Sequence, residues 1–464
     1  MAGRDYEAAY ENNKDAGTAR VIVTGIGNYE GTAEKTFSIA KASQTLQAAN
    51  LSVVFAAKKA VSVTGAQGKV TYSSDKPAVA AVEADGNVTG EGVGSAKITI
   101  SAAGNKNYLS AKKVITVTVT AAALKDGNVT VAASGLTYNG KEQKPAVTVK
   151  YAGKTLTANT DYKVAYKNNI NAGTDTASVT VTGLGNYKAS VTKTFSIAKA
   201  GQTLTIAAVK VVVGKTATIS VTGAKGTKTF TSANTAIATV NSSTGVVIGK
   251  KVGTVKITVT SKATSNYKAA SKAVTVTVLP AATSKITATN LVTGIKVTWN
   301  KVTGASGYIL YRNGTKIATL TGNAKVTYTD SGANTNGSKY VYKVVARAVI
   351  GSSTLNSTAS RSLTTYRVAR PAVSSLTNSA ASKMTVKWAK NAKASGYQIQ
   401  YTTDSTFKSG VKTVTISSAS TVSKVIANLA KTKTYCVMMR TFKTVGTTRY
   451  YSAWSAVKKL KIIR

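Results

Sequence analysis

Residues 161–199 read DYKVAYKNNINAGTDTASVTVTGLGNYKASVTKTFSIAK, and residues 5–41 read DYEAAYENNKDAGTARVIVTGIGNYEGTAEKTFSIAK. The later copy is two residues longer between its first tyrosine and its phenylalanine. Self-similarity over such a length predicts a tandem array of modules. A strand-rich stretch, residues 124–160, precedes the later copy and has no counterpart before the earlier one. We therefore expect residues 1–41 to be the second half of a module, less protected in hydrogen exchange than residues 162–199.

Short runs of alternating apolar and polar residues recur along the chain, each bounded by Gly, Asn, Asp or Ser. They lie at 21–23, 96–100, 114–119, 179–181, 255–259, 274–278 and 340–345. This pattern is typical of half-buried strands joined by turns, and no segment shows a sustained helical period. We expect an all-β fold of β-sandwiches in series.

Basic residues strongly outnumber acidic ones in the sequence. The chain of 464 residues has 61 basic and 16 acidic residues, a net charge of +45. The excess grows along the sequence, from 13 basic and 10 acidic residues in 1–120 to 28 and 2 in 280–464. The positive electrostatic field of such a protein favours polyanionic partners, and it weakens as the salt concentration rises. An alternative is that the lysines only keep strand edges apart and the protein soluble.

The sequence lacks the residues that several kinds of catalytic and metal site require. The sequence contains no histidine and a single cysteine, Cys436. Histidine-based catalytic triads, histidine metal sites and an internal disulfide framework are therefore excluded. We expect Cys436 to be a buried thiol, and we expect no enzymatic activity, metal site or cofactor. No run of about 18 apolar residues predicts a membrane span.

The repeated stretch carries a recognisable set of turns. In the later copy these are Tyr162, Tyr166, Asn168, Asn169, the Asn-Ala-Gly-Thr turn at 171–174 and the Gly-Asn-Tyr turn at 185–187. The earlier copy keeps Tyr6, Tyr10, Asn12, Asn13 and the corresponding turns at 16–18 and 27–29. This combination resembles Ig-like modules of Firmicutes surface proteins.

A second type of module alternates with the first. Residues 70–100 read VTYSSDKPAVAAVEADGNVTGEGVGSAKITI, and residues 230–259 repeat the spacing of their glycines. The run is similar to the bacterial Ig-like group 2 family. Glycines at intervals of four in a β context indicate turns and bulges rather than a phosphate-binding loop.

The last third of the chain changes character. Residues 295–314 (IKVTWNKVTGASGYILYRNG) and 384–404 (MTVKWAKNAKASGYQIQYTTD) both resemble fibronectin type III modules. The resemblance implies that Trp299 and Trp388 are core residues on the second strand of each module. Tyr435 matches the tyrosine before the family's later strand, although lysines replace the usual Pro and Thr ahead of it.

Together, the strand pattern and the resemblances predict six modules, in an all-β fold of tandem Ig-like β-sandwich modules arranged as an elongated rod. They are an incomplete Ig-like module at 1–41, group 2 modules at 42–120 and 200–279, a complete Ig-like module at 121–199, and fibronectin type III modules at 280–369 and 370–464.

The predicted function is that of a non-catalytic stalk or adhesion region of a bacterial cell-surface protein, monomeric and extracellular, with its signal and anchor outside this chain. Predicted partners are anionic wall polymer or a host glycan or protein, and we expect no nucleic-acid partner and no membrane span. Candidate ligand contacts are Tyr29, Tyr108, Tyr187, Tyr267, Lys458, Lys459 and Lys461. For the four tyrosines, the alternative is that they pack their loops onto the sandwiches. Alternatives are a phage structural or fibre protein and the accessory C-terminal region of a secreted hydrolase.

Overall fold

The structure, a computed structural model, describes residues 1–463. Within these residues it contains 43 strands and one short 3-10 helix, Asp126–Asn128. The predicted all-β fold class is confirmed. The chain divides into two compact units, which are described separately. The first comprises Met1–Gly201 and Thr264–Lys268, and the second comprises Gln202–Ala263 and the residues from Ala269 onward.

The strands of the first unit are β1 (Tyr6–Glu11), β2 (Gly17–Gly25), β3 (Thr32–Ile39), β4 (Leu51–Val54), β5 (Lys58–Ala60), β6 (Val70–Ser74), β7 (Ala80–Val82), β8 (Asn87–Gly90), β9 (Gly94–Ala102), β10 (Ala111–Thr120), β11 (Ala122–Ala123), β12 (Val129–Ala132), β13 (Ala146–Tyr151), β14 (Lys154–Thr155), β15 (Tyr162–Lys167), β16 (Gly173–Gly183), β17 (Tyr187–Lys188) and β18 (Ser190–Ile197).

The first unit contains one lone sheet and two sandwiches. Strands β1, β2 and β3 form an antiparallel sheet, hereafter the N-terminal sheet. Sandwich I packs the sheet β4-β10-β9-β6 against β5-β8-β7, around a core that includes Ile98, Ile100 and Ile115. Sandwich II packs β15-β16-β18 against β12-β13-β14, with the short pair β11-β17 beside them. Alternate residues of β9 are buried, because successive side chains of a strand point to opposite faces.

The two extra residues of the later copy form a β-bulge. Between β16 and β18 the register shifts from Gly173 to Ala177, whereas β2 and β3 pair without a break. Asp175 lies in the bulge with φ of 52°, and the Ser196 hydroxyl donates to its carboxylate at 2.9 Å. An unpaired extra residue is the usual content of such a bulge. The insertion therefore leaves the strands on either side in the same pairing as in the earlier copy.

The strands of the second unit are β19 (Thr205–Ile206), β20 (Val209–Val212), β21 (Thr216–Thr218), β22 (Val221–Thr222), β23 (Lys228–Ser232), β24 (Ala238–Val240), β25 (Val246–Gly249), β26 (Gly253–Ser261), β27 (Ala270–Leu279), β28 (Ile286–Asn290), β29 (Ile295–Trp299), β30 (Gly307–Arg312), β31 (Thr315–Thr321), β32 (Thr327–Asp330), β33 (Lys339–Ile350), β34 (Ser353–Asn356), β35 (Leu363–Tyr366), β36 (Val373–Ala380), β37 (Lys383–Trp388), β38 (Gly396–Thr402), β39 (Lys412–Ile416), β40 (Ser423–Ile426), β41 (Thr434–Val445), β42 (Thr448–Tyr451) and β43 (Lys458–Lys461).

Three sandwiches make up the second unit. Sandwich III pairs β20-β27-β26-β23 with β21-β25-β24, the arrangement of sandwich I. Sandwich IV combines β28-β29-β32 with β31-β30-β33-β34, and β35 also pairs with β33. Sandwich V repeats this pattern with β36-β37-β40 and β39-β38-β41-β42, and β43 pairs with β41.

The two predicted core tryptophans occupy equivalent places. Trp299 on β29 and Trp388 on β37 are both buried, on the second strand of sandwiches IV and V. Trp299 meets the Tyr308 ring edge-on at 5.4 Å between centroids, and Trp388 lies 5.3 Å from Tyr397. Aromatic pairs at such separations add to the stability that area burial provides.

Sandwich IV contains a buried carboxylate with two partners. Asp330 accepts hydrogen bonds from the Arg312 guanidinium at 2.9 Å and from the Tyr342 hydroxyl at 2.7 Å. Burial, followed by the bond to the Asp330 carboxylate, raises the pKa of Tyr342 far above its usual value. A buried charge needs such partners, because an unpaired one is strongly destabilising.

Candidate functional site: the asparagine joints and a basic cleft

An asparagine in a turn connects the N-terminal sheet to sandwich I. The Asn107 side-chain oxygen accepts from the Ala16 backbone N–H at 2.8 Å, and its amide donates to the Asp15 carboxylate at 2.7 Å. Its backbone carbonyl accepts from the N–H of Ala42 in the connecting segment at 2.8 Å. Lys106 also pairs with Asp15, and its hydrogen bond is the main reason that the pKa of this carboxyl is lowered.

The same device connects sandwich I to sandwich II. The Asn186 side-chain oxygen accepts from the Val93 N–H at 2.9 Å, and its backbone carbonyl accepts from Ala122 at 3.0 Å. Beside it, the Tyr187 ring meets Phe55 edge-on at 5.4 Å between centroids. Phe55 follows β4 and packs against the cores of both sandwiches. Polar and apolar contacts therefore both cross this joint.

A third asparagine completes the pattern inside the first unit. The Asn266 side-chain oxygen accepts from the Ala172 N–H at 2.8 Å, and its amide donates to Asn171 at 2.9 Å. Its backbone carbonyl accepts from Ala200 at 3.0 Å. Next to it, the rings of Tyr267 and Tyr138 meet edge-on at 5.3 Å.

One rule describes all three joints. The asparagine side chain binds a backbone N–H of an earlier segment, and the asparagine carbonyl binds an alanine N–H of the connecting segment. The residue after each asparagine forms a parallel bridge with that alanine, as Tyr108 does with Ala42. A short amide side chain suits this place, because it offers a donor and an acceptor close to its own turn. We call these residues, Asn107, Asn186 and Asn266, the joint asparagines.

The predicted tyrosine contacts differ in their exposure. Tyr29 is exposed, Tyr108 and Tyr267 are half-buried, and Tyr187 is buried in the core of sandwich II. Tyr187 is therefore corrected from a candidate surface contact to a core residue, because its ring fills the joint with sandwich I. Ligand contact stays a prediction for Tyr29, Tyr108 and Tyr267. The residues before the tyrosines, the joint asparagines, were missed, although the recurring Asn-Tyr pair was their signal.

The predicted lysine contacts lie on one edge strand. Lys458, Lys459 and Lys461 are exposed on β43, which pairs with β41. Leu460 and Tyr435 stand opposite each other in this pairing, and the Tyr435 hydroxyl accepts from the Ala430 N–H at 3.0 Å. The latter contact has the geometry of a tyrosine corner. The lysines form an exposed basic row, and their role as ligand contacts stays a prediction.

A basic cleft between sandwiches IV and V was not predicted. It measures about 230 Å³, and its lining includes Arg440, Arg449, Thr289, Thr365 and Ser452. The alternating runs identified in the sequence gave no sign that β28, β35, β41 and β42 would face one space.

The two arginines of the cleft are positioned by aromatic rings. The Arg440 guanidinium lies 3.8 Å from the Tyr451 ring centre and 4.4 Å from that of Trp454. Two of its nitrogens donate to the Gln398 side-chain oxygen, and burial lowers the pKa of Arg440. The Arg449 guanidinium lies 4.8 Å from the Phe442 ring centre. Cation–π contacts of this kind hold a guanidinium in place without neutralising its charge.

Few acids offset these cations. In residues 280–463 the carboxylate side chains are those of Asp330 and Asp404. Asp330 is buried against Arg312, and Asp404 accepts hydrogen bonds from Thr406, Lys408 and Ser409 in its own loop. Both carboxylates are thus occupied, and neither lines the cleft.

Other kinds of site were also sought. Among residues 1–463, no group of three or more Cys, Asp or Glu side chains is placed to hold a metal ion. Cys436 is buried on β41, as predicted. In the same part of the chain, no helix has the length and apolar character needed to cross a membrane.

Comparison with known families identifies one stretch. The family model described as "Intimin, immunoglobulin-like domain" matches residues 56–104, which lie in sandwich I. The match supports Ig-like modules of the kind found in bacterial surface proteins. It covers a small part of the chain and leaves the fibronectin and Firmicutes assignments untested. No curated protein matches the chain.

Two solved structures are among those that match the chain. The chain is 17% identical to the chicken CNTN1 FN1–FN3 domains, with 57% of this chain and 99% of that chain covered and a TM-score of 0.27. It is 15% identical to domains 4–9 of the surface layer protein SbsC, with 100% and 90% covered and a TM-score of 0.22. These scores are too low to support an inference about function.

Proposed function

We propose that the chain is a non-catalytic, extracellular spacer region of a bacterial surface protein, built from the six modules predicted above. The Ig-like match in sandwich I supports the surface assignment. The proposed spacer role rests on the repetition of the joint asparagines. A spacer must resist bending between its modules, and the first two joints restrain their neighbouring modules with hydrogen bonds in place of a free linker.

The joints differ from flexible linkers in their chemistry. At the second joint, a single residue separates the two modules, because β10 ends at Thr120 and β11 begins at Ala122. Ala122 is fully buried, and its N–H donates to the Asn186 carbonyl. A flexible linker would instead leave its backbone solvated. This geometry supports a stiff connection.

Distance measurements between spin labels test the spacer role. In a Cys436→Ala background, labels at Lys97→Cys and Lys163→Cys report across the second joint. We expect one narrow distance distribution, which broadens when Asn186→Ala is added. The matched control is Asn28→Ala, at the equivalent exposed turn of the earlier copy. A broad distribution in the parent protein would contradict a spacer function.

A second role is proposed for the basic end of the chain. The 28 cations of residues 280–464, set against two carboxylates that are already occupied, support binding to an anionic polymer of the cell wall or to a sulfated or sialylated host glycan. The exposed row Lys458, Lys459 and Lys461 and the cleft at Arg449 are the proposed contacts. Exposed cations attract polyanions over a distance set by the ionic strength.

Salt-resolved binding tests the second role. Poly(glycerol phosphate), heparin and uncharged dextran serve as probes, with duplex DNA as a competitor. We expect the two polyanions to bind and the affinity to fall strongly between low and moderate salt. A triple Lys→Gln variant at 458, 459 and 461 should weaken binding more than the same change at Lys69, Lys76 and Lys97 of sandwich I. Equal weakening, salt-insensitive binding or preference for DNA would contradict the proposal.

The two alternative functions, a phage fibre protein and an accessory region of a hydrolase, predict different genomic contexts. A phage fibre role predicts virion structural genes beside this one, and an accessory role predicts a hydrolase domain in the same reading frame. Either finding would replace the proposed surface role, and neither would alter the expected behaviour of the joints.

A further inference from the structure

The two copies of the repeated stretch differ in what covers them. Tyr6, Tyr29 and Phe37 of the N-terminal sheet are 37%, 62% and 40% exposed, whereas the equivalent Tyr162, Tyr187 and Phe195 of sandwich II are 5%, 6% and 3% exposed. The strands pair in the same way in both copies. The difference therefore arises from what packs on the sheet and not from the sheet itself.

In sandwich II the covering residues come from one continuous segment. Ala122, Leu124, Val129, Val149 and Leu156 share a core with Tyr162, Val181, Tyr187 and Val191. The backbone follows the same course, because Ala122 forms a parallel bridge with Tyr187 and Thr137 forms one with Ala198. Residues 122–156 thus form the cover of this sheet, hereafter the cover segment.

The N-terminal sheet presents the matching groove without a cover. An open groove of about 410 Å³ is lined by Tyr6, Val23, Tyr29 and Ala33, together with the backbone of Gly25. These residues are the equivalents of the four sheet residues that receive the cover segment in sandwich II. The groove is mainly apolar, and exposed apolar surface of this kind marks an interaction site.

The charges of the groove and of the cover segment are complementary. The groove is flanked by the carboxylates of Asp5 and Glu30. The cover segment carries five lysines, at 125, 141, 144, 150 and 154, against two acids. A basic cover therefore suits the N-terminal sheet at least as well as it suits the sheet of sandwich II, whose counterpart of Glu30 is Lys188.

We propose that the groove of the N-terminal sheet binds a β-forming polypeptide of the cover-segment type. Its first strand lies parallel to Asn28 and Tyr29, as Ala122 lies beside Tyr187. Its leucine and valine side chains enter the groove between Tyr6 and Tyr29. Binding completes a sandwich by supplying a sheet face and an edge strand, which is the strand-addition mode of peptide recognition. The proposal does not depend on the spacer or polyanion roles.

A synthetic polypeptide of residues 121–160 is the probe. Added to the full chain, it should bind with a stoichiometry of one and increase hydrogen-exchange protection at 6–39 to the level of 162–197. Tyr29→Asp should weaken binding at least about tenfold, the loss expected from removing one good apolar anchor. The matched control is Val114→Asp, a change at an exposed valine of sandwich I, which should leave binding unchanged.

Three outcomes would overturn the proposal. These are no binding while sandwich II stays protected, binding that Tyr29→Asp does not weaken, and protection of 6–39 by self-association of the free protein. Because the isolated polypeptide can fail to stay soluble, a fusion of residues 121–160 ahead of residue 1 provides a second measurement. The fusion should bury Tyr29 and protect 6–39, and an unchanged exchange pattern in the fusion would contradict the proposal.

Discussion

The Asn186 side-chain oxygen lies 2.9 Å from the Val93 backbone nitrogen, from which it accepts a hydrogen bond across the joint between sandwiches I and II. The two residues are 93 positions apart in the chain. In the earlier copy, the equivalent Asn28 is exposed, and no hydrogen bond of its side chain is found within residues 1–463. One turn sequence thus serves as a joint in one place and stands free in the other.

Replacing the joint asparagine tests its contribution. Asn186→Ala should lower the stability of the joint by about 1 kcal/mol, the usual worth of one hydrogen bond. The readout is hydrogen exchange at Val93 and Ala122, which should become faster. Asn28→Ala should leave exchange in its turn unchanged. Equal effects of the two changes would show that the amide acts within its own turn and not across the joint.

Replacing the equivalent tyrosines of the two copies, Tyr187 and Tyr29, should affect stability very differently. Tyr187→Ala should destabilise sandwich II by about 3 kcal/mol, since it empties a core position. Tyr29→Ala should change the stability of the N-terminal sheet by less than about 0.5 kcal/mol, as an exposed side chain usually does. Urea unfolding followed by exchange at 162–197 and at 6–39 measures both. A large effect of Tyr29→Ala would mean that its exposed ring is already buried by a partner in solution.

Strand alternation was enough to predict the fold class, and the resemblance to fibronectin type III modules implied the core positions of Trp299 and Trp388. Both signals are local in the sequence. Sequence patterns also indicated that the two copies are unequal, since one lacks a preceding strand-rich stretch. They did not distinguish the buried Tyr187 from the exposed Tyr29. Its local sequence is nearly that of Tyr29, and only packing against Phe55 and the cover segment separates the two.

The joints and the cleft were also beyond sequence reasoning. Each joint brings together residues that are distant in the chain, and asparagine in a turn has a sufficient local explanation. The cleft depends on two strands of sandwich V, β41 and β42, facing two strands of sandwich IV, β28 and β35. Alternation predicts that Arg440 and Arg449 share a face with other residues of their strands, but not what lies opposite them.

Hydrogen exchange should separate the two copies along their whole length. Amides of β2 are paired on both sides in the N-terminal sheet, yet the sheet has no second layer within residues 1–463, so we expect faster exchange at 6–39 than at 162–197. Few buried apolar contacts lower the free energy of local opening. Mass spectrometry of peptides from both copies under one condition gives the comparison. Similar rates would show that another segment or chain covers the N-terminal sheet.

The buried carboxylate of sandwich IV should be sensitive to substitution. Asp330→Ala removes the acceptor of both Arg312 and Tyr342 and should cost about 3 kcal/mol, because a partly buried guanidinium loses its counter-charge. Tyr342→Phe keeps the ion pair and should cost about 1 kcal/mol. The fluorescence of Trp299 during denaturation, with Trp388 and Trp454 replaced by Phe, reports on this sandwich. A smaller loss for Asp330→Ala than for Tyr342→Phe would contradict the assignment.

Asp404 predicts an acid-sensitive loop in sandwich V. The hydroxyl and backbone N–H of Thr406 contribute most to lowering the pKa of Asp404 below its ordinary value of 3.8, and the backbone N–H groups of Ser409 and Lys408 add to the effect. A lowered pKa in the folded state means that the carboxylate stabilises the loop at all pH values above the ordinary one. This contribution is lost as the pH falls through the folded-state pKa.

Asp404→Asn should therefore destabilise the loop at pH 7, and the difference from the parent protein should shrink as the pH falls below about 4. The readout is hydrogen exchange at residues 404–409, measured at pH 7 and below about pH 4. Thr406→Val is the matched variant, because it removes the hydroxyl donor and keeps the carboxylate. It should weaken the loop less than Asp404→Asn and retain part of the pH dependence. A gap between Asp404→Asn and the parent protein that stays constant with pH would show that the side chain acts through its shape and not through its charge.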